Sequence, residues 1–342
     1  MDHPLLSVID LKIQFHGNDN ISRAVDGVSF DVASGETVCI VGESGCGKTV
    51  TSLAVLGLIP SPPGKIAGGE VLFDRTNLLH LGEEQMQKIR GKRIAMVFQE
   101  PMNSLNPVFT IGEQIRETIA AHENVSETEK RTRTVQLLKD VGLPSPEERL
   151  RDYPHQLSGG QRQRVMIAIA LSCNPDLVIA DEPTTALDVT VQAQVLRLFS
   201  ELQKKRKMSL LYITHDLGVV ANIADHIYVM YAGTIAEQGT RSHIFQTPRH
   251  PYTQGLLASL PNRARRGKQL YSIPGNVPDP AYRPTGCPFH PRCEYRTDEC
   301  LAEFPHLYDY GEGHLARCPV VYRSWERRKS DAGPQGLPND KP

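Results

Sequence analysis

The sequence predicts an α/β fold: a phosphate-loop core, broken by a helical insertion and followed by a loop-rich appendage. Three observations carry this. The apolar run Thr37 to Val41 leads straight into Gly42-x-x-x-x-Gly47-Lys48-Thr49. Strand-like apolar runs recur on both sides of a stretch with helical periodicity. From about Pro248 onward proline and glycine rise and periodicity fades.

Taken in order, residues 1 to about 98 alternate short strand-like segments with turns, as in "LLSVIDLKI", "AVDGVSFDV" and "GGEVLFD". The run before Gly42 is β-branched and apolar, which predicts a buried strand, and a helix is expected from Thr49 to Leu58, ahead of Pro60. From about Pro101 to Leu157 the pattern turns helical with charged faces, as in "TIGEQIRETIAAH" and "KRTRTVQLLKDVG". Strands resume in "DLVIAD", "SLLYITHD" and "DHIYVMYAG". The expected organisation is a domain over 1–247 with a helical subdomain at about 100–160, an appendage over 248–325, and a disordered tail over 326–342.

The chain of 342 residues carries a net charge of −1, so no global basic field points to nucleic acid, and none is expected as a partner. Its longest purely apolar run, Val165 to Leu171, is too short to span a bilayer. The start "MDHPLLSVIDLKIQF" lacks a basic region followed by an apolar core and cleavage site, so the chain is expected to stay in the cytoplasm, with room to sit on a membrane protein.

The phosphate loop explains its own spacing. Its glycines let backbone N–H groups turn inward toward phosphate oxygens, and the following helix adds its positive N-terminal end. The cradle is Gly42, Glu43, Ser44, Gly45, Cys46, Gly47, Lys48, Thr49 and Val50, with Lys48 reaching the β- and γ-phosphates and the Thr49 hydroxyl available to Mg²⁺. In "DLVIADEPTTALD" an apolar strand ends in Asp181, suited to holding Mg²⁺, and Glu182, suited to act as general base on the attacking water. That pair predicts hydrolysis rather than binding alone. "LSGGQRQRVMIAIAL" opens a second helix with Ser158, Gly159 and Gly160, a further anion site with no lysine of its own. The economical reading is that it caps the γ-phosphate held by another subunit's phosphate loop.

With these residues assembled, the chain resembles the ATPases of ABC transporters. The matching set is Gly42 to Thr49, Gln99 in "VFQEP", "LSGGQ" at 157–161, "LVIADE" at 177–182, "ALD" at 186–188 and His215 in "ITHD", in the family's order. The resemblance implies a RecA-like core with an antiparallel β subdomain and a helical subdomain. It also implies a head-to-tail dimer with two ATP molecules between one chain's phosphate loop and the other's Ser158, Gly159, Gly160 and Gln161. Glu182 would be the base, Gln99 would touch both Mg²⁺ and water, His215 would contact the γ-phosphate, and Asp188 would cross the interface. Adenine would stack on Phe15 or His16, although a core role for Phe15 stands beside that reading.

"MNSLNP", "RHPYTQGLL" at 249–257 and "IPGNVPDP" leading to "GCPFHPRC" at 286–293 further resemble the ATPase subunits of bacterial dipeptide and oligopeptide importers. Relatives of these import nickel, glutathione or other small solutes, and a non-transport ABC ATPase is the remaining alternative. The implied partners are a second, homologous ATPase subunit forming a heterodimer, two transmembrane permeases and an extracytoplasmic binding protein. The implied location is peripheral, on the cytoplasmic face of the inner membrane.

Four of the seven cysteines, Cys287, Cys293, Cys300 and Cys318, fall together near the C-terminus. Their spacing lacks the short pairs of structural zinc and suits iron–sulfur ligation, but spacing leaves metal ligands and free thiols equally open. The importer resemblance, in which this pattern goes with a [4Fe-4S] cluster, implies the first. ATP, Mg²⁺ and this cluster are the expected cofactors.

Overall fold

The computed structural model describes residues 3–17, 20–100, 104–185, 187–260 and 271–331. Strands β1 (Leu6–His16), β2 (Ile21–Val32), β4 (Gly64–Phe73) and β5 (Thr76–Asn77) form an antiparallel sheet in the order β2-β1-β4-β5. Leu6, Val8, Leu11 and Ile13 of β1 are all buried in one apolar cluster with Val38, Ile40 and Val55, so one face of this sheet packs on the parallel-sheet core.

That core is built on β3 (Thr37–Val41), β6 (Ile94–Val97), β7 (Leu177–Asp181), β8 (Ser209–Thr214) and β9 (His226–Tyr231), which pair in parallel in the order β9-β3-β8-β7-β6. Every residue of β3, β7 and β8 is buried, as expected of parallel strands covered on both faces. Helix α1 (Lys48–Val55) follows β3. It is shorter than the sequence predicts because Gly57, at φ +62°, reverses the chain: its N–H donates to Ala54 O, and Leu58 N–H donates to Leu53 O. This pair of bonds is a Schellman stop, and it ends the helix before Pro60 can. The short helix α2 (Glu83–Gln87) lies between β5 and β6.

The insertion comprises α3 (Ile111–His122), α4 (Glu127–Asp140), α5 (Pro146–Arg149) and α6 (Gly159–Ala170). Thr110 and Glu113 close a capping box at the start of α3, and Ser126 caps α4. Ile111, Ile115, Ile119, Leu137 and Leu138 share one apolar cluster with Val97 and Val178 of the sheet, so the helical segment is packed onto the core. In α6, Val165 to Ala168 are buried, as their uninterrupted apolar run predicts.

Helix α7 (Val189–Arg206) leads into β8, and α8 (Leu217–Ile223) into β9. Strand β10 (Thr234–Thr240) then runs antiparallel to β9, followed by α9 (Arg241–Gln246) and α10 (Pro251–Ala258). The appendage, predicted as loop-rich, is mostly turns but holds α11 (Glu299–Ala302), strands β11 (Tyr308–Asp309) and β12 (Leu315–Ala316), and α12 (Pro319–Asp331). β12 pairs with β10, so the appendage extends the core sheet at its edge. The buried Glu237 carboxylate of β10 fastens this seam: it accepts from the N–H groups of Arg249 (2.7 Å) and His250 (2.8 Å) and lies 2.8 Å from His314 Nε2. Helix α12 carries the chain through Asp331, into the stretch assigned from sequence to a disordered tail, whose remainder lies outside the described residues.

Candidate active site

The topology gathers the predicted chemistry at one edge. Gly42 follows β3, Gln99 lies just beyond β6, Glu182 follows β7 and His215 follows β8, and these four strands are neighbours in the sheet. In open parallel sheets the crevice beyond the carboxyl ends of the strands is where ligands bind. Here a cavity of about 310 Å³ opens there, lined by Ser44, Gly45, Gly47, Lys48, Thr49, Val50, Gln99, Glu182 and, from β2, Ala24.

The phosphate loop is held by close packing at its glycines. A side chain at Gly42 would collide with the Met230 carbonyl, and at Gly47, where φ is +102°, its Cβ would lie 2.5 Å from the Ala24 carbonyl oxygen. Buried Lys48 folds along the loop, donating from Nζ to Gly42 O (2.8 Å) and Glu43 O (3.0 Å), and stands 3.8 Å from Glu182 Oε1. The Thr49 hydroxyl donates to Asp181 Oδ1 at 3.2 Å. Burial pushes the Asp181 carboxyl up to about 6; the Thr49 hydrogen bond works against this and the Glu182 charge adds to it.

Glu182 is the hub. Its Oε2 accepts from Thr185 Oγ1 (2.9 Å) and Gln99 Nε2 (3.3 Å) and lies 3.2 Å from His215 Nδ1. Its backbone sits at φ +43°, unfavourable for a residue with a Cβ, and is held there by the N–H bond to Ile213 O (2.9 Å). Strain of this kind, fixed by the surroundings, aims a carboxylate that the strand alone would not place.

Other predicted residues lie elsewhere. Ser158 and Gln161 close a capping box on α6 and are not part of the cavity lining; Gly159 and Gly160 form the first turn of that helix. Asp188 caps α7, its Oδ1 accepting the Val191 N–H at 2.9 Å. Ala186 of the "ALD" stretch, and Met102 and Asn103 of "MNSLNP", lie outside the described residues. Phe15 packs against the core cluster that includes Ile13 and Val55, and exposed His16 donates its N–H to Pro63 O at 3.0 Å. Neither lines the cavity.

In the appendage, Cys287, Cys300 and Cys318 are buried and Cys293 is half-buried. They lie within electrostatic reach of one another: burial pushes the Cys287 thiol up to about 11 and the Cys318 thiol to about 12, and charge on the neighbouring cysteines adds to both. Among the described residues, however, no group of three or more His, Cys, Asp or Glu side chains is arranged to hold a metal ion, so the expected four-cysteine centre is not assembled. The Cys287 N–H donates to Cys300 O at 2.8 Å, a backbone link that joins the two segments.

Three residues that touch this site were not found from sequence. Thr185 carries a weak signal, three residues past Glu182. Tyr252 and Arg292 carry none, because their partner Glu43 lies 209 and 249 residues away.

Comparison with known proteins agrees with the geometry. The family described as ABC transporter matches residues 25–185, and the oligopeptide/dipeptide transporter C-terminal region matches 236–300. The chain is 49% identical to the dipeptide transport ATP-binding protein DppD of Bacillus subtilis, covering 92% of this chain and 94% of that one. It is 50% identical to the oligopeptide transport ATP-binding protein OppD of the same organism, over 93% and 89%. Among solved structures, a dimeric ATP-binding cassette bound to ADP and Pi in a post-hydrolysis state superposes with a TM-score of 0.62 at 28% identity, covering 69% of this chain and 98% of that one. Among the described residues no helix is long and apolar enough to cross a membrane.

Proposed function

The chain belongs to the ABC transporter family, among the ATP-binding subunits of dipeptide and oligopeptide transporters, and from that premise we propose how its own residues run the cycle. It is an ATP hydrolase that energises peptide import. The observation that carries the residue roles is the convergence of Gln99, Thr185 and His215 on the Glu182 carboxylate beside Lys48.

Lys48 and the loop N–H groups of Gly45 to Val50 hold the phosphates, Lys48 exchanging its backbone acceptors for phosphate oxygens. Thr49, Gln99 and Asp181 offer the hard oxygen donors that Mg²⁺ takes, and the 3.2 Å approach of Thr49 to Asp181 fits such a site. Mg²⁺ held by these residues would neutralise charge on the triphosphate. Glu182 accepts the proton of the attacking water, while His215 and Gln99 fix the carboxylate and the water between them. Glu182→Gln keeps these hydrogen bonds but removes the base. Hydrolysis should fall on the order of 10²- to 10⁴-fold with nucleotide binding retained; unchanged turnover would remove Glu182 from this role.

The remaining roles follow as proposals. Ser158, Gly159, Gly160, Gln161 and Asp188 serve the ATP of a second, homologous ATPase subunit, supported by their position away from this chain's own cavity. Two permeases dock near Val108 and Phe109, apolar side chains 71% and 46% exposed beyond Gln99. An extracytoplasmic binding protein delivers peptide, and the subunit works peripherally on the cytoplasmic face of the inner membrane. Phe15 stacks on adenine.

For Cys287, Cys293, Cys300 and Cys318 we propose [4Fe-4S] ligation. It is supported by their mutual proximity and by the greater separation a cluster allows its thiols compared with a single ion. Protein purified without oxygen should contain about four irons per chain with matching acid-labile sulfide. Absence of both would leave four free thiols.

A further inference from the structure

We propose that Arg292 and Tyr252 are positioning residues for ATP, acting from the appendage through Glu43 of the phosphate loop; this rests on the assignment of that loop as the ATP site. Glu43 is the second residue of the loop, and neither its side chain nor its N–H points to the cavity. The Arg292 guanidinium meets its carboxylate with two hydrogen bonds, Nη1 to Oε2 at 2.6 Å and Nη2 to Oε1 at 3.0 Å. Its N–H donates to the Tyr252 hydroxyl at 2.9 Å.

Both partners are fixed from behind. The Arg292 side chain is only 4% exposed, and it also donates to Pro274 O (2.8 Å), Ile273 O (3.3 Å) and the Tyr231 hydroxyl (3.4 Å). Tyr252 is fully buried and packs its ring 4.6 Å from Tyr231. A planar, bidentate pair of this kind sets direction as well as energy.

Two consequences follow for an anion site. The clamp draws a carboxylate to the rear of a loop that must receive a triphosphate, and it balances that negative charge. It also fixes the first peptide of the loop, so the inward-facing N–H groups that follow start from one orientation. Losing Arg292 would leave an unpaired carboxylate behind the phosphate loop. Losing the carboxylate as well would remove that repulsion. A merely structural pair would show that rescue in stability alone, with the Kd of the folded protein unmoved.

The test is equilibrium titration of the full purified chain with a fluorescent N-methylanthraniloyl ATP and Mg²⁺, alongside steady-state hydrolysis. Arg292→Met should raise Kd about tenfold or more, the range expected for a charged hydrogen-bonded pair, with turnover at saturating ATP within about twofold. The double variant Glu43→Gln/Arg292→Met should recover most of that loss. Arg292→Lys, which keeps the charge but not the fork, should fall between, and Tyr252→Phe should raise Kd about threefold by orphaning the Glu43 N–H.

Should Arg292→Met fail to fold, the lysine and phenylalanine variants decide the matter. Parent-like Kd in both overturns the proposal, as does a double variant no better than Arg292→Met. Failure of the unaltered chain to bind would instead overturn the ATP site itself.

Discussion

The nucleotide-binding edge and the C-terminal appendage are built by opposite means. At the edge, Gly42, Gln99, Glu182 and His215 each sit within two positions of a fully or largely buried parallel strand, so the sheet alone places these four together. In the appendage, short strands and turns are held by polar pairs, Glu237 with His314 buried, and Arg292 with Glu43 and Arg283 with Asp26 half-buried. The first region derives its order from apolar burial and spends its polar groups on chemistry. The second has little apolar core, a cluster centred on Tyr310, Ala316 and Trp325, and spends its polar groups on order. Disturbing polar groups should therefore cost stability in the appendage and rate at the edge.

The largest effect expected is at the seam. Glu237 is fully buried and accepts three hydrogen bonds, so Glu237→Ala leaves two backbone N–H groups and His314 without their partner. Removing one member of a buried polar pair costs about 3–5 kcal/mol. Trp325, the only tryptophan, lies in the appendage cluster and reports on this region directly. Its fluorescence in urea should show a transition moved to much lower denaturant; a parent-like midpoint would mean the seam is not held by Glu237.

A second effect needs no mutation. His250 is buried at the start of α10 and accepts the Tyr252 N–H on Nδ1 at 3.1 Å, which requires a neutral ring. Burial lowers its pKa to about 4; Glu237 opposes this and Arg317 reinforces it. A histidine whose folded pKa is depressed contributes stability that is fully present above its unfolded value near 6.5. That contribution is lost as pH falls toward 4, and amounts to about 3 kcal/mol in all. The Trp325 transition should weaken between pH 7 and pH 5, and the decline should shrink in His250→Gln, which titrates no proton.

The same contrast explains what could be foreseen. Fold class and the residues gathered at the sheet's edge were legible because strand and turn are adjacent in the chain: "CIVGESGCGKT" and "LVIADE" each contain a strand and the polar residues at its end. The stop of α1 was misjudged because Pro60 masked the earlier signal of Gly57. In the appendage, low periodicity hid strands of two residues each, β12 pairing with the edge of β10 and β11 with β12. Arg292 could not be found because its partner is 249 residues away and no local pattern records a contact across that distance. The cysteine cluster was visible as composition, but spacing does not say how far apart four sulfurs come to rest.

The smallest expected effect sharpens the contrast from the other side. Thr185 is exposed, and its hydroxyl is one of three groups around Glu182 Oε2, the others being Gln99 Nε2 and His215 Nδ1. Thr185→Val keeps the shape and removes one donor, while the other two still hold the carboxylate. A lost neutral donor at an exposed position is worth about 1 kcal/mol, which is roughly fivefold in rate. Hydrolysis should fall by that amount, while the Trp325 transition and nucleotide affinity stay at their parent values. A loss of stability here would mean that the edge, like the appendage, depends on its polar groups for order, and that the division between the two regions is not where the sheet draws it.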